Sequence, residues 1–119
     1  MQKNILIVDD DKKYRFILRR KLEITGYKVY ECTNGEEAFE FLQSHTASID
    51  LVLLDLIMPG VDGVEFMDKM QKSKLTTPPV IVLTNQTEGS FPSQITEYIV
   101  KTNISLDALV EKIRKILAE

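Results

Sequence analysis

At 119 residues, 44% hydrophobic and 28% charged, the chain is sized for one domain, residues 1–119, whose core needs no disulfides. A single cysteine, Cys32, excludes a disulfide framework and a cysteine-based zinc centre, and fits a cytoplasmic setting. A formal net charge of −3 argues against nucleic-acid binding by the whole surface. The apolar runs are far too short to span a bilayer, and the N-terminus passes directly into a strand pattern rather than a signal-peptide core.

Asn4 to Val8 reads as a strand whose Ile5 to Val8 is an unbroken apolar run, the pattern of a strand buried on both faces, and it ends in Asp9, Asp10 and Asp11. Lys12 to Thr25 reads as a helix, with Ile17, Leu18 and Leu22 at helical spacing, Asp11 as its cap and Gly26 as its stop. Lys28 to Cys32 alternates and reads as a strand. A helix from Asn34 to about Ser44 follows, with Asn34 as N-cap, Glu37 completing a capping box, and Ala38, Phe41 and Leu42 inward. His45 falls at its end as a surface residue.

Asp50 to Leu54 reads as a second such strand, its Leu51 to Leu54 an unbroken apolar run again ending in a carboxylate, Asp55. Met58, Pro59, Gly60, Asp62 and Gly63 mark a turn-rich loop. Val64 to Ser73 reads as a helix with Phe66, Met67 and Met70 apolar. Val80 to Leu83 is a buried strand ending in Thr84, and Tyr98 to Val100 another ending in Lys101. Ser105 opens the last helix, whose Leu106, Leu109, Val110, Ile113, Ile116 and Leu117 share a face. Strand and helix alternate, so the class is α/β with a parallel sheet covered on both faces.

Ligands of such sheets bind beyond the carboxyl ends of the strands. There the sequence places Asp9, Asp10, Asp55, Thr84 and Lys101. Two carboxylates ~4 Å apart repel by about 4 kcal/mol at an effective dielectric of ~20, so the cluster calls for a cation. All-oxygen donors with room for water suit Mg²⁺. Each residue alone would be an ordinary cap, turn or surface group; five at successive strand ends form a site.

The segments Ile5 to Asp11 (ILIVDDD), Leu53 to Gly60 (LLDLIMPG), Asp62-Gly63, Val80 to Thr84 (VIVLT) and Tyr98 to Lys101 (YIVK) span the chain in order. Together they resemble the receiver, or phosphoacceptor, domain of two-component response regulators. The resemblance implies a flavodoxin-like, doubly wound, five-stranded parallel sheet of order 2-1-3-4-5. It implies a phosphorelay module that accepts a phosphoryl group on Asp55, with Mg²⁺, from a sensor histidine kinase or phosphotransfer protein. Asp9, Asp10, Asp55 and the backbone carbonyl of Ile57 would hold the metal. Thr84 would be the switch hydroxyl, Lys101 the phosphate-binding lysine and Tyr98 the switch aromatic. The output would be a protein-binding surface recognised by a downstream target, a fused output domain or a second copy in a homodimer, without membrane or direct nucleic-acid contact.

Three positions depart from the family's pattern. Thr102 stands where the family has a proline after the lysine; a cis bond without proline costs about 3 kcal/mol, so a trans bond is expected. Asn85 replaces a small residue after Thr84. The stretch from Asn85 to Glu97 is short and contains Gly89, Ser90 and Pro92, so the fourth helix is expected to be short or missing.

The alternative on the same fold is a pseudo-receiver, a constitutive protein–protein interaction module. An enzyme has little support. There is no Gly-rich phosphate loop after the first strand, and a dehalogenase-like phosphatase would need a second aspartate where Ile57 stands. No output domain follows the last helix in this sequence, which leaves a stand-alone regulator and part of a longer one both open.

Overall fold

The computed structural model describes residues 2–45, 48–56, 63–73, 77–85 and 95–118. Five strands, β1 (Asn4–Val8), β2 (Lys28–Cys32), β3 (Leu51–Leu54), β4 (Val80–Thr84) and β5 (Glu97–Val100), form one sheet of order β2-β1-β3-β4-β5. Every pairing is parallel. Four α-helices are present among the described residues: α1 (Lys12–Thr25), α2 (Gly35–His45), α3 (Gly63–Lys72) and α4 (Leu106–Ile116). The doubly wound class and strand order are those expected. The segment expected to hold a short or missing helix falls mostly in residues 86–94, outside the described residues, as does Ile57. None of the helices described is long and apolar enough to cross a membrane.

The unbroken apolar strands follow from the two cores they serve. Alternate side chains of a strand point to opposite faces. Leu6, Val8, Val52, Leu54, Val80 and Val82 pack with Ala38 and Leu42 of α2 and Phe66, Met67 and Met70 of α3. Ile5, Ile7, Leu51, Leu53, Ile81 and Leu83 pack with Leu18 and Leu22 of α1 and Leu109, Val110 and Ile113 of α4. Burying each such side chain contributes roughly 1.5–3 kcal/mol, so the site at the sheet edge stands on a rigid base.

Helix ends follow local chemistry. Asp11 caps α1: its carboxylate accepts from the Tyr14 N–H at 3.1 Å. Gly26 ends α1 in the left-handed region (φ 113°), its N–H reaching back to Leu22 and Glu23 carbonyls. Asn34 accepts from the Glu37 N–H at 2.8 Å, as expected, but the Glu37 carboxylate turns to the Thr33 N–H and hydroxyl, one residue earlier than a standard capping box. Ser105 caps α4 through the Ala108 N–H. Replacing Asp11 by alanine is expected to cost about 1 kcal/mol, read as a lower urea midpoint at unchanged slope.

Ile17 corrects the sequence reading. It is exposed, with Phe16 and Ile24, while Leu18 and Leu22 are buried. The inward stripe of α1 runs through Tyr14, Leu18 and Leu22, and a residue one step away points about 100° off that line. Phe41 is only partly buried, packed against the core with its ring between those of Tyr30 and His45. His45 is exposed at the end of α2, stacked on Phe41 with ring centroids 4.3 Å apart.

Cys32 closes β2 with 2% of its surface exposed, and burial pushes its thiol up to about 12, with the charge and hydrogen bond of Glu37 adding to the shift. The thiolate is the reactive form. In native protein Cys32 is therefore expected to resist a disulfide reagent at neutral pH and to react at once in denaturant. Rapid native reaction would contradict its placement.

Candidate functional site

The parallel register brings one edge of the sheet together. Val8 pairs with both Cys32 and Leu54, and Thr84 pairs with Val100. The residues following Val8, Leu54 and Val100 are Asp9, Asp55 and Lys101. Ladder-like hydrogen bonds continue one step past the strands, from the Asp9 N–H to the Cys32 carbonyl (3.1 Å) and from the Asp55 N–H to the Val8 carbonyl (2.9 Å). Asp9 and Asp55 are consequently held by backbone at a fixed spacing.

Both carboxylates are buried, at 3% and 8% exposure, whereas Asp10 is exposed. Oxygens of Asp9, Asp10 and Asp55 lie within 4.8 Å of one another. The Lys101 ammonium donates to Asp9 Oδ2 at 2.6 Å and to Asp55 Oδ2 at 3.2 Å. The buried Thr84 hydroxyl donates to Asp55 Oδ1 at 2.7 Å. All five residues singled out at the strand ends thus converge, save that Asp10 faces solvent. Asn85, beside Thr84, is exposed.

The electrostatics show a cluster short of positive charge. Burial raises the Asp9 carboxyl above its ordinary value, and the nearby Asp55 adds to that; hydrogen bonds from Lys101 and the Asp11 N–H only partly oppose it. Burial alone would lower Lys101, but its bonds and charge pairing with Asp9 and Asp55 outweigh this, and the net shift is upward. Three carboxylates against one ammonium leave two negative charges uncompensated. That deficit, the oxygen-only donors and the solvent on the Asp10 side fit a hard divalent cation that keeps some of its water.

Lys101 opens a 3₁₀ turn, Lys101–Asn103, and the described residues contain no cis peptide bond. The lysine reaches both carboxylates with Thr102 after it. Its ammonium also lies 4.4 Å from the centroid of the Tyr14 ring, a favourable cation–π distance. Burial, with the charges of Asp9, Asp55 and Asp11, pushes the Tyr14 hydroxyl up to about 12. Helical patterning marks Tyr14 only as an apolar residue of α1. The available signal was its place in the first turn after the acidic loop, three residues past the Asp11 cap. Tyr98 is half-buried against the α2–α3 core and opposite Val82, and burial together with Asp55 raises its hydroxyl.

Fold and site define a doubly wound α/β module with a lysine-bridged carboxylate cluster at the carboxyl edge of its sheet. A family model for the response regulator receiver domain matches residues 5–114. The chain is 41% identical over 103 residues to the transcriptional regulatory protein ResD of Bacillus subtilis, covering 82% of this chain and 41% of ResD. It thus spans about two-fifths of the length of the curated relatives it matches. Among solved structures it is similar to a CheY-like receiver domain protein from Methanospirillum hungatei, with TM-score 0.87, 27% identity and coverage of 99% and 95% of the two chains. It is also similar to the response regulator TrrA of Thermotoga maritima in complex with Mg²⁺-BeF, with TM-score 0.80, 34% identity and coverage of 97% and 99%. The chain belongs to the response regulator receiver domain family, the signalling modules of two-component systems.

Proposed function

We propose that this domain accepts a phosphoryl group on Asp55 in a Mg²⁺-dependent step and so switches a protein-binding surface. The observation that carries the reading is the setting of Asp55. It is a nearly buried carboxylate contacted by Thr84 and Lys101, with two further aspartates within cation-sharing distance. Asp9, Asp10 and Asp55 would hold the metal, which supplies charge neutralisation on the oxygens of the group being transferred. The Mg²⁺-BeF complex of TrrA supports the assignment by similarity.

Phosphoryl transfer asks for positioning and charge stabilisation more than for acid–base work. An Asp55 carboxylate oxygen attacks phosphorus. The new O–P bond replaces the P–N bond of a phosphohistidine donor, or the P–O bond of a small acyl phosphate, and the leaving group departs with the bonding electrons. Lys101, already within hydrogen-bonding distance of Asp55, supplies a point charge to the phosphoryl oxygens. The Thr84 hydroxyl, aimed at Asp55, can donate to one of them. Drawing Thr84 toward the new group would open space beside it for Tyr98, a two-state packing change biased by added charge.

Turnover of substrate is not part of this reading; the domain is a switch, not an enzyme. The donor would be a sensor histidine kinase or phosphotransfer protein in the cytoplasm. The recipient would be a downstream protein, a fused output domain or a second copy. Nucleic-acid contact, if this domain serves a longer regulator such as the transcriptional regulatory protein ResD, would fall to segments outside it.

Two measurements test the proposal. Incubation with acetyl phosphate and Mg²⁺ is expected to add one phosphoryl mass, labile to base, and to add none in EDTA; no labelling in Mg²⁺ would favour a constitutive interaction module. At a Mg²⁺ concentration ~100 times Kd the melting temperature should rise on the order of 10 °C, from roughly 2.7 kcal/mol of binding stabilisation. Asp10→Ala should remove most of that rise. Equal stabilisation of both proteins would remove Asp10 from the metal site.

A further inference from the structure

Asp9 is anchored through every polar group it has. Its N–H bonds the Cys32 carbonyl, Oδ1 accepts from the Asp11 N–H at 2.9 Å, and Oδ2 accepts from Lys101. Its carbonyl oxygen accepts from Nη1 of Arg15 at 2.7 Å. That last bond comes from α1, reaching back over the acidic loop. The Arg15 Nε simultaneously donates to Glu31 Oε1 on β2 at 3.2 Å, and Arg19 holds the other Glu31 oxygen at 2.5 Å. The Arg15 side chain is 13% exposed and that of Glu31 26%, so this is a mostly sheltered pair. A helix, a strand and a loop carbonyl meet at one guanidinium.

The Asp9 carbonyl and the Asp10 N–H belong to one planar peptide. Anchoring the carbonyl restrains the plane, and the plane together with the Asp10 φ sets the direction in which the Asp10 side chain leaves the backbone. Asp10 is the exposed member of the acidic trio. Its carboxylate therefore depends on the loop backbone for its direction. Guanidinium suits this task because its rigid fork can bond a carbonyl and a carboxylate at once, which an ammonium on a flexible stem does not reproduce.

We propose that Arg15, braced by Glu31, is a positioning residue for the divalent-cation site: it locks the Asp9–Asp10 peptide and thereby sets the affinity of the aspartate cluster for Mg²⁺. The inference rests on the reading that Asp9, Asp10 and Asp55 take that ion. It assigns to α1 and β2 a part in metal affinity that the acidic residues alone do not have.

Calorimetric titration of the full chain with MgCl₂ tests it, alongside acetyl phosphate labelling as a function of Mg²⁺. Arg15→Gln is expected to weaken Mg²⁺ binding by about tenfold or more, the usual effect of removing a group that orients metal ligands. Half-saturating Mg²⁺ for labelling should rise by the same factor, while the labelling rate at saturating Mg²⁺ stays near that of the wild type. Arg15→Lys should recover part of the affinity. Glu31→Gln, which leaves Arg15 its bond to the carbonyl, should weaken binding less than Arg15→Gln. Arg19→Gln should leave it unchanged, since Arg19 meets Glu31 but not the loop. A merely structural arginine would lower the melting temperature without moving the Mg²⁺ half-saturation point. Unchanged Mg²⁺ affinity in Arg15→Gln overturns the inference and leaves the cation site standing. Should that variant not fold, Glu31→Gln decides by the same measure. Absence of Mg²⁺ binding by the wild-type chain overturns the cation reading, and this inference with it.

Discussion

Asp55→Asn is expected to reduce phosphoryl incorporation from acetyl phosphate to background while leaving the fold intact. The amide is isosteric and keeps an oxygen to accept from Thr84, whose hydroxyl lies 2.7 Å from Asp55 Oδ1. What it loses is the nucleophile and the charge. Lys101 retains its shorter bond to Asp9, at 2.6 Å against 3.2 Å to Asp55. Removing one of several like charges relieves repulsion that two carboxylates ~4 Å apart feel at about 4 kcal/mol in an effective dielectric of ~20. The variant should therefore melt no lower than the wild type without Mg²⁺, and gain less from adding it. Intact-mass measurement and peptide mapping would read the labelling, and thermal melts with and without MgCl₂ the stability. Full labelling of the variant, or a label mapped to Asp9 or Asp10 in the wild type, would remove Asp55 from its proposed role.

That experiment also separates what the sequence made legible from what it did not. The strand ends were legible because a doubly buried strand announces itself by unbroken apolar residues, and the next polar residue must lie at the sheet edge. Asp9, Asp55, Thr84 and Lys101 all follow from that rule, and the register places them within hydrogen-bonding reach. Helix caps were legible at Asp11 and Asn34 for a local reason: the donor and acceptor are three residues apart. Ile17 was misread because helical spacing alone does not say how wide a buried stripe is, and α1 packs only its Tyr14–Leu18–Leu22 line inward.

Tyr14 and Arg15 do not stand out as site residues by periodicity. Their contacts, to Lys101 and to the Asp9 carbonyl and Glu31, join parts of the chain whose meeting depends on tertiary placement. Periodicity reads a tyrosine or arginine on a helix only as apolar or polar. The departure at Thr102 had the opposite outcome. The trans bond expected there is present, and the lysine reaches both carboxylates from a 3₁₀ turn.

Gly63 is where the fold and the site share a constraint, and its replacement by alanine is the second large effect expected. A Cβ there would lie 2.4 Å from the Asp55 carbonyl oxygen and 2.6 Å from the Leu56 Cα. Both are backbone atoms of the segment that carries Asp55, so no side chain can turn aside to make room. Gly63 also donates its N–H to the Leu56 carbonyl at 3.2 Å, closing α3 against that segment. To admit a methyl group, either α3 must retreat, loosening Phe66, Met67 and Met70 in the core, or Asp55 must shift. Forcing extra volume into packed structure costs typically 1–3 kcal/mol, and misplacing a reacting group by ~1 Å can cost on the order of a hundredfold in rate. Gly63→Ala is thus expected to lose roughly 2–3 kcal/mol by urea unfolding and to label at least about tenfold more slowly than wild type at saturating Mg²⁺. Gly26 provides the contrast. Its φ of 113° requires the left-handed region, but a Cβ would meet nothing within 4 Å. Gly26→Ala should cost about 1–2 kcal/mol through backbone strain alone and leave the labelling rate where it was, because the end of α1 lies away from Asp55. Loss of stability in both variants with loss of labelling only in Gly63→Ala is the expected pattern. Wild-type stability in Gly63→Ala would show that α3 does not press on the Asp55 backbone.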